Sequence, residues 1–442
     1  MKRSVRNSLI GVVVALVAVS IALQNNIDPH RDRIQPPLGG KSQTKLIFQL
    51  PAPYIIASFT GMRESVAGLL WVRADEFFHS GNYEAIFPLV RIITWLDPHY
   101  MDVYKVGAWH LDFNITDSSE RSDRRLIPPA LALMREGIEN NRETFDLPFD
   151  LAFTHYHLKM KDYENARKWM EVAQTRPDLS SEAVEARERY PLVVKRMLGH
   201  MYEKCGDIES AKRQWRRTIA DSEKLARDNP RDYTFRTALD IARQNYEIML
   251  WREKHRKYDL YPPIDMKFDA KWVRKRPGVI VVSGTINLIS REDYLKLDPS
   301  APAAEKRESM KVRLEAIQDN QWVDGARIDI ILQDLDYKPQ SLKEFSWEVP
   351  RDVTIMVESV RIGEGQFETE IDMSRDPHMY SFKKDKYRLV LTLDPRSAPD
   401  FIQDRIGWRG EGLTDKNYLD TKTIPGVRMI RKEWIIDRKD II

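Results

Sequence analysis

A single cysteine, Cys205, stands in 442 residues. It has no partner for an internal disulfide and cannot by itself build a zinc or iron–sulfur site. No sign of charge prevails either. Seventy Lys and Arg face 67 Asp and Glu, and a net charge of +3 is too weak a field to gather nucleic-acid phosphates. The motifs that announce catalysis are also missing: there is no HExxH, no GxSxG elbow and no GxxxxGK[ST] loop. Gly363-Glu364-Gly365 lacks the strand–helix setting of a dinucleotide fold. His155 and His157, two apart on an expected helix, point about 200° away from each other and do not chelate together. No catalytic residue, cofactor or metal is therefore expected. Carboxylates scattered in sequence, as in glycosidases, would escape such a motif search.

What is present is apolar substance: 42% hydrophobic residues, with 11 Trp, 17 Tyr and 15 Phe, enough for two or three cores. Lys2, Arg3 and Arg6 precede an apolar run from Leu9 to Leu23. A basic flank before such a run is an export signal. It either stays as a short membrane anchor or is cleaved near the small residues Ser20 and Ala22. Both outcomes place the remainder outside the cytoplasm, periplasmic, extracellular or secreted. No cysteine follows closely enough for a lipoprotein anchor. The expected division is 1–24 anchor or signal, 25–50 a Pro/Gly-containing tether, 51–257 helical, 258–275 linker and 276–442 β-rich.

The helical half repeats. Residues Ala67 to Tyr100 place Trp71, Ala74 and Phe77 in a first helix, Gly81 and Tyr83 at a turn, Ala85 in a second helix and Asp97-Pro98 at the close. This unit resembles a tetratricopeptide repeat, whose period is about 34 residues. The Trp is displaced by one place, and the second-helix alanine comes one place early. A second unit opens at Met101 with Tyr104, Gly107 and Ala108, and its turn is replaced by the polar stretch NITDSSERSDRR. A third, near 147–180, carries Asp162-Tyr163, Ala166, Ala173 and Pro177. A fourth, Leu192 to about Lys224, carries Gly199, Tyr202, Gly206-Asp207, Ala211 and Trp215. A helix from Tyr233 to His255 would cap the array.

After Pro262-Pro263 the alphabet turns to β-branched residues. Strands are expected at Val279 to Leu288, Ala326 to Leu332, Val353 to Ile362, Gln366 to Ile371 and Tyr387 to Leu393, with a further pair near the C-terminus. A charged helix from Ala303 to Ile317 is expected between the first two. Clean alternation in ARIDIIL and YRLVLTL points to an antiparallel β-sandwich. Gly407 to Gly412 form a glycine-rich loop in which Trp408 either contacts a sugar or peptide or tucks under the backbone.

The resemblance implies that first helices line a concave groove. One column of that groove would hold Trp71, Lys105, Leu151 and Arg196, and the other Asp75, Trp109, His155 and His200. Aromatic and basic groups mixed in this way suit an extended or helical partner peptide carrying acidic groups. The expectation is an envelope-located, non-enzymatic scaffold. The alternatives are an exported carbohydrate-active enzyme and a self-assembling subunit of a surface layer or filament.

Overall fold

The computed structural model describes, apart from a few interior positions, residues 62–116, 124–255, 268–286, 326–337, 345–349, 353–375, 382–399 and 402–442, with short helical pieces between 11 and 26. The expected tether and the helix at 303–317 lie outside the described residues. Among the described residues no helix is long and apolar enough to cross a membrane. The described parts of the N-terminal run, 11–16, 18–19 and 22–23, are helical, and Val12, Val13, Val14, Leu16, Val19 and Leu23 are exposed.

Helices come first and antiparallel strands follow. Helices α1 (Arg63–His79) and α2 (Ile86–Leu96) form a hairpin, as do α3 (Met101–Trp109) and α4 (Ile127–Asn140). Next come α5 (Asp146–Asp150) against α6 (Tyr163–Gln174), a short α7 (Ser181–Ala186), and α8 (Leu192–Cys205) against α9 (Ile208–Asp228). Helix α10 (Tyr233–His255) packs on α9. The starts are encoded locally: Asp162 caps α6 by accepting from Asn165 N at 3.3 Å, and Asp207 caps α9 by accepting from Ser210 N at 3.1 Å. Gly206, at φ 78°, ends α8 in the left-handed region. In α9 the buried Ile208, Ala211, Trp215, Thr218, Ser222 and Leu225 recur at three- and four-residue steps, which is the spacing of one helix face.

Close approach between helices depends on glycine at two points. A Cβ on Gly137 would lie 2.5 Å from Tyr104 Cγ, and one on Gly199 would lie 2.7 Å from Trp215 Cε2. Two helices also widen into π turns, α3 through His110–Asn114 and α5 through Leu151–Lys159. Met160 N donates to His155 O at 3.0 Å, and Ile115 N to His110 O at 3.1 Å, the i to i+5 bonding of that form.

The strands build two antiparallel sheets. Strands β1 (Asp269–Arg276), β2 (Val279–Thr285) and β5 (Gln366–Asp372) form the first, in the order β1-β2-β5. The second contains β3 (Arg327–Asp334), β4 (Ile355–Arg361), β6 (Lys386–Leu393), β7 (Leu419–Asp420) and β8 (Met429–Asp437), in the order β4-β3-β6-β8-β7. Both sheets bury one face in a common core, Ile280 and Val282 from the first meeting Ile330, Leu389 and Leu391 from the second. Strand β1 begins inside the stretch expected to be linker. Its sequence, DAKWVRKR, is dominated by charge, which suits an edge strand.

The outer face of the second sheet packs on the helices. Ile331, Ile355 and Val357 join the helical core, and Phe345 and Trp347 lie across the second helix of successive hairpins. The Trp347 ring centre is 3.3 Å from Arg91 Cζ and 6.4 Å from the Phe87 ring, while Phe345 meets Trp169 edge-on at 6.3 Å. Further along, Lys161 Nζ pairs with Asp329 Oδ2 at 2.5 Å and Arg396 Nη1 with Glu164 Oε1 at 3.4 Å. Replacing Trp347 with Ala removes a stacked cation and the apolar area of an indole, and should weaken this docking by about 1–3 kcal/mol. Scanning calorimetry should then resolve two transitions where the parent shows one. A single unshifted transition would mean that Trp347 contributes nothing to the junction.

Candidate functional site

The expected groove residues, all on the first helices of the hairpins, divide by burial. Trp71 is half-buried, edge-on to Tyr100 at 6.4 Å between ring centres. Asp75 is exposed, 3.5 Å from His79 Nε2. Lys105 is half-buried on α3, and Trp109, one turn on, is 42% exposed and stacked on Phe113 at 6.5 Å. Beside it, His110 is buried, and burial pulls its pKa below the ordinary histidine value against the opposing charge of Asp75. The buried His110 thus feels the charge of Asp75 and lies 5.5 Å from the Trp109 ring.

Arg196 and His200 are half-buried on α8. Burial lowers the Arg196 pKa while Glu188 opposes it. His200 lies edge-on to Trp215 at 4.9 Å, with Nδ1 3.7 Å from Glu203 Oε2.

The third unit departs from the expected columns. Leu151 and His155 are wholly buried, so His155 is a core residue and offers nothing to a groove. The physical reason is the π stretch Leu151–Lys159: each wide turn takes in an extra residue and rotates the later residues of the helix away from the 3.6-residue register. The half-buried row on this helix is Phe145, Phe149, Phe153 and His157, with successive ring centres 6.1, 5.7 and 5.5 Å apart. Burial, then the positive charges of Lys204 and His200, lower the His157 pKa to about 4. Thus His157 is the neighbour of His200 that His155 was expected to be. Four aromatic rings at a constant step of four mark this row in the sequence.

Trp408 is also moved out of contention as a surface contact. It is 5% exposed and clusters with Ala211, Trp215 and Met249, sealing the sheet-domain loop to the last two helices. Gly407 and Gly410 hold φ of 90° and 80°, the left-handed backbone that lets the loop turn the indole inward.

Between the two π segments lies a polar core that residue spacing does not reveal. His155 Nδ1 and Asp112 Oδ2 are 2.5 Å apart, both side chains fully buried, and Asp150 Oδ2 stands 3.8 Å from the other ring nitrogen. Lys159 Nζ donates to Thr116 Oγ1 at 2.6 Å, and Thr116 Oγ1 donates in turn to Asp112 O. Burial alone lowers the His155 pKa, but Asp112 by charge and hydrogen bond, helped by Asp150, outweighs burial and holds it above the ordinary value. No substrate reaches a pair with no exposure, so its role is to fix the two π turns against each other. Cys205 is equally unreactive: burial, then Glu164, raises its thiol pKa to about 11. Among the described residues no group of His, Cys, Asp and Glu is placed to hold a metal ion.

No protein-family model, curated protein or solved structure matches the chain.

Proposed function

We propose that this protein is a non-enzymatic interaction scaffold of the cell envelope, tethered by residues 9–23. Its helical hairpins act as a tetratricopeptide-type superhelix that binds an acidic segment of a partner protein. The observation that carries this reading is the asymmetry of the helical array. The second helices α2, α4 and α6 meet Phe345 and Trp347 of the sheet domain, while α3 keeps Trp109 at 42% and Val106 at 37% exposure beside Lys105. Large aromatic and basic side chains left at a surface are the usual anchors of a protein interface. The sheet domain, read as sandwich-like, braces the array and offers a second contact. The exposed valines of the N-terminal helical piece are in keeping with an apolar segment made for lipid.

The Trp109→Ala, Arg196→Ala double variant tests the groove. Partner capture from solubilised membranes, quantified by mass spectrometry, should fall at least about tenfold, equivalent to about 1.4 kcal/mol. The melting temperature should be unchanged, because neither side chain is buried in the core. A partner recovered equally by parent and variant would remove the groove from the reading.

A further inference from the structure

A cleft of about 370 Å³ lies where the helices meet the second sheet, within the range of small-molecule sites and at a domain junction, where such sites concentrate. Its floor follows from strand alternation. On β3, Ile328, Ile330 and Leu332 enter the sheet core with no exposure, so Arg327, Asp329 and Ile331 face the other way and line the cleft. Strand β4 adds their cross-strand partners, Ser359 opposite Asp329 and Val357 opposite Ile331. Phe113, Leu158 and Lys161, from the ends of the two π segments, form the roof.

Two groups on the floor have capacity left over. Arg327 donates to Ser359 O at 2.7 Å and to Ser359 Oγ at 3.2 Å, both neutral, so no anion offsets its charge among the described residues. Asp329 gives Oδ2 to Lys161, while its buried Oδ1 has no hydrogen-bond partner among the described residues. A buried acceptor left without a donor is unfavourable and uncommon in folded proteins. Lys161, at φ 53°, is the one non-glycine residue with positive φ among the described residues, a conformation that costs about 1–2 kcal/mol and is retained where surrounding contacts fix it. Here it ends the π segment, with Asp162 N donating to Tyr156 O at 2.8 Å across it, and it sets the Lys161 side chain toward Asp329.

Residues two apart on a strand have Cα atoms about 6.7 Å apart, a span that the long Arg327 side chain can close toward a ligand held at Asp329. One molecule can engage both groups if it carries a carboxylate for the guanidinium and an adjacent N–H or O–H donor for the Asp329 carboxylate, whose side chain is 18% exposed. Phe113, Ile331 and Val357 call for an apolar body. We propose that the junction cleft binds a small apolar α-amino or α-hydroxy acid.

Calorimetric titration of the full chain in lipid nanodiscs tests this with four probes. L-Phenylalanine and 3-phenyllactate carry both groups, 3-phenylpropionate lacks the donor and phenethylamine lacks the carboxylate. At least one of the first two should saturate a single site with a dissociation constant below about 1 mM, and the other two should bind at least about tenfold more weakly. Leu158→Trp fills the cleft from a residue that is 49% exposed, without touching the Lys161–Asp329 pair, and should abolish the signal at an unchanged melting temperature. Arg327→Gln should weaken both carboxylate probes about tenfold. The proposal is overturned by no saturable binding of either acid up to about 10 mM, by equal affinity for a probe lacking one group, or by Leu158→Trp binding as well as the parent.

Discussion

Replacing Trp215 with Ala is expected to destabilise the helical array by about 3–5 kcal/mol. The indole has no exposure and packs with Ala211, Ala242, Met249 and Trp408, so truncation opens a void bounded by helices and by the sheet-domain loop together. It also removes the donor that Trp215 Nε1 gives to Glu203 Oε1 at 2.6 Å, leaving a carboxylate in a residue that is 4% exposed. Trp215→Phe separates the two effects, because it keeps most of the ring and loses only the N–H, at about 1–3 kcal/mol. Gly199→Ala approaches the same ring from the facing helix. Alanine in a helix ordinarily gains about 1 kcal/mol over glycine, but here its methyl would sit 2.7 Å from the indole. Overpacking of that kind costs about 1–3 kcal/mol, so the expected sign is destabilising. Denaturant midpoints for the three variants check the order. A Gly199→Ala protein more stable than the parent would show that the helices can separate without loss.

Asp112→Ala should cost about as much, 3–5 kcal/mol, because it leaves His155 charged or unpartnered in a site with no exposure. Titration gives a sharper test. The groups facing His155 are Asp112, Asp150 and Lys159, and their balance raises its pKa in the folded chain. A raised pKa means that folding binds a proton more tightly. The stabilisation is therefore complete below the ordinary histidine value of about 6.5 and is lost as pH climbs through the higher folded value. Thermal unfolding followed from pH 6 to pH 9 should show the parent losing stability toward the alkaline end, with Asp112→Asn flattening that slope. Parallel slopes in the two proteins would assign the dependence to other groups.

Much of the architecture could be read from pattern because local rules decide it. The Tyr233 to His255 helix has its expected bounds, and β2, β3, β4, β5 and β6 fall within a few residues of their expected spans, since alternation and turn chemistry act over short distances. Strand β1 is not legible from alternation, because its charges give an edge strand the composition of a linker. Of the residues assigned to a groove, Trp109 is exposed and Lys105 and Arg196 are half-buried, whereas His155 lies in the core, because a π turn changes the phase of every residue after it. Asp112 and His155 are 43 positions apart, and only the packing of separate hairpins brings them together. The burial of Trp408 likewise depends on where the sheet domain docks.

The strand order of the second sheet also dictates a timetable. Strand β8 lies between β6 and β7, so the hydrogen-bonding edge of β6 remains open until residues 429–437 have been made. Gly278 N, at the β1–β2 turn, bonds to Ile441 O, which ties the earliest strands to the last turn of chain. The helical hairpins, built from near neighbours, can form as they emerge, but the sheet domain cannot close before synthesis has passed Ile441. Until then β6 and the β1–β2 turn wait for partners that only residues 429–441 supply.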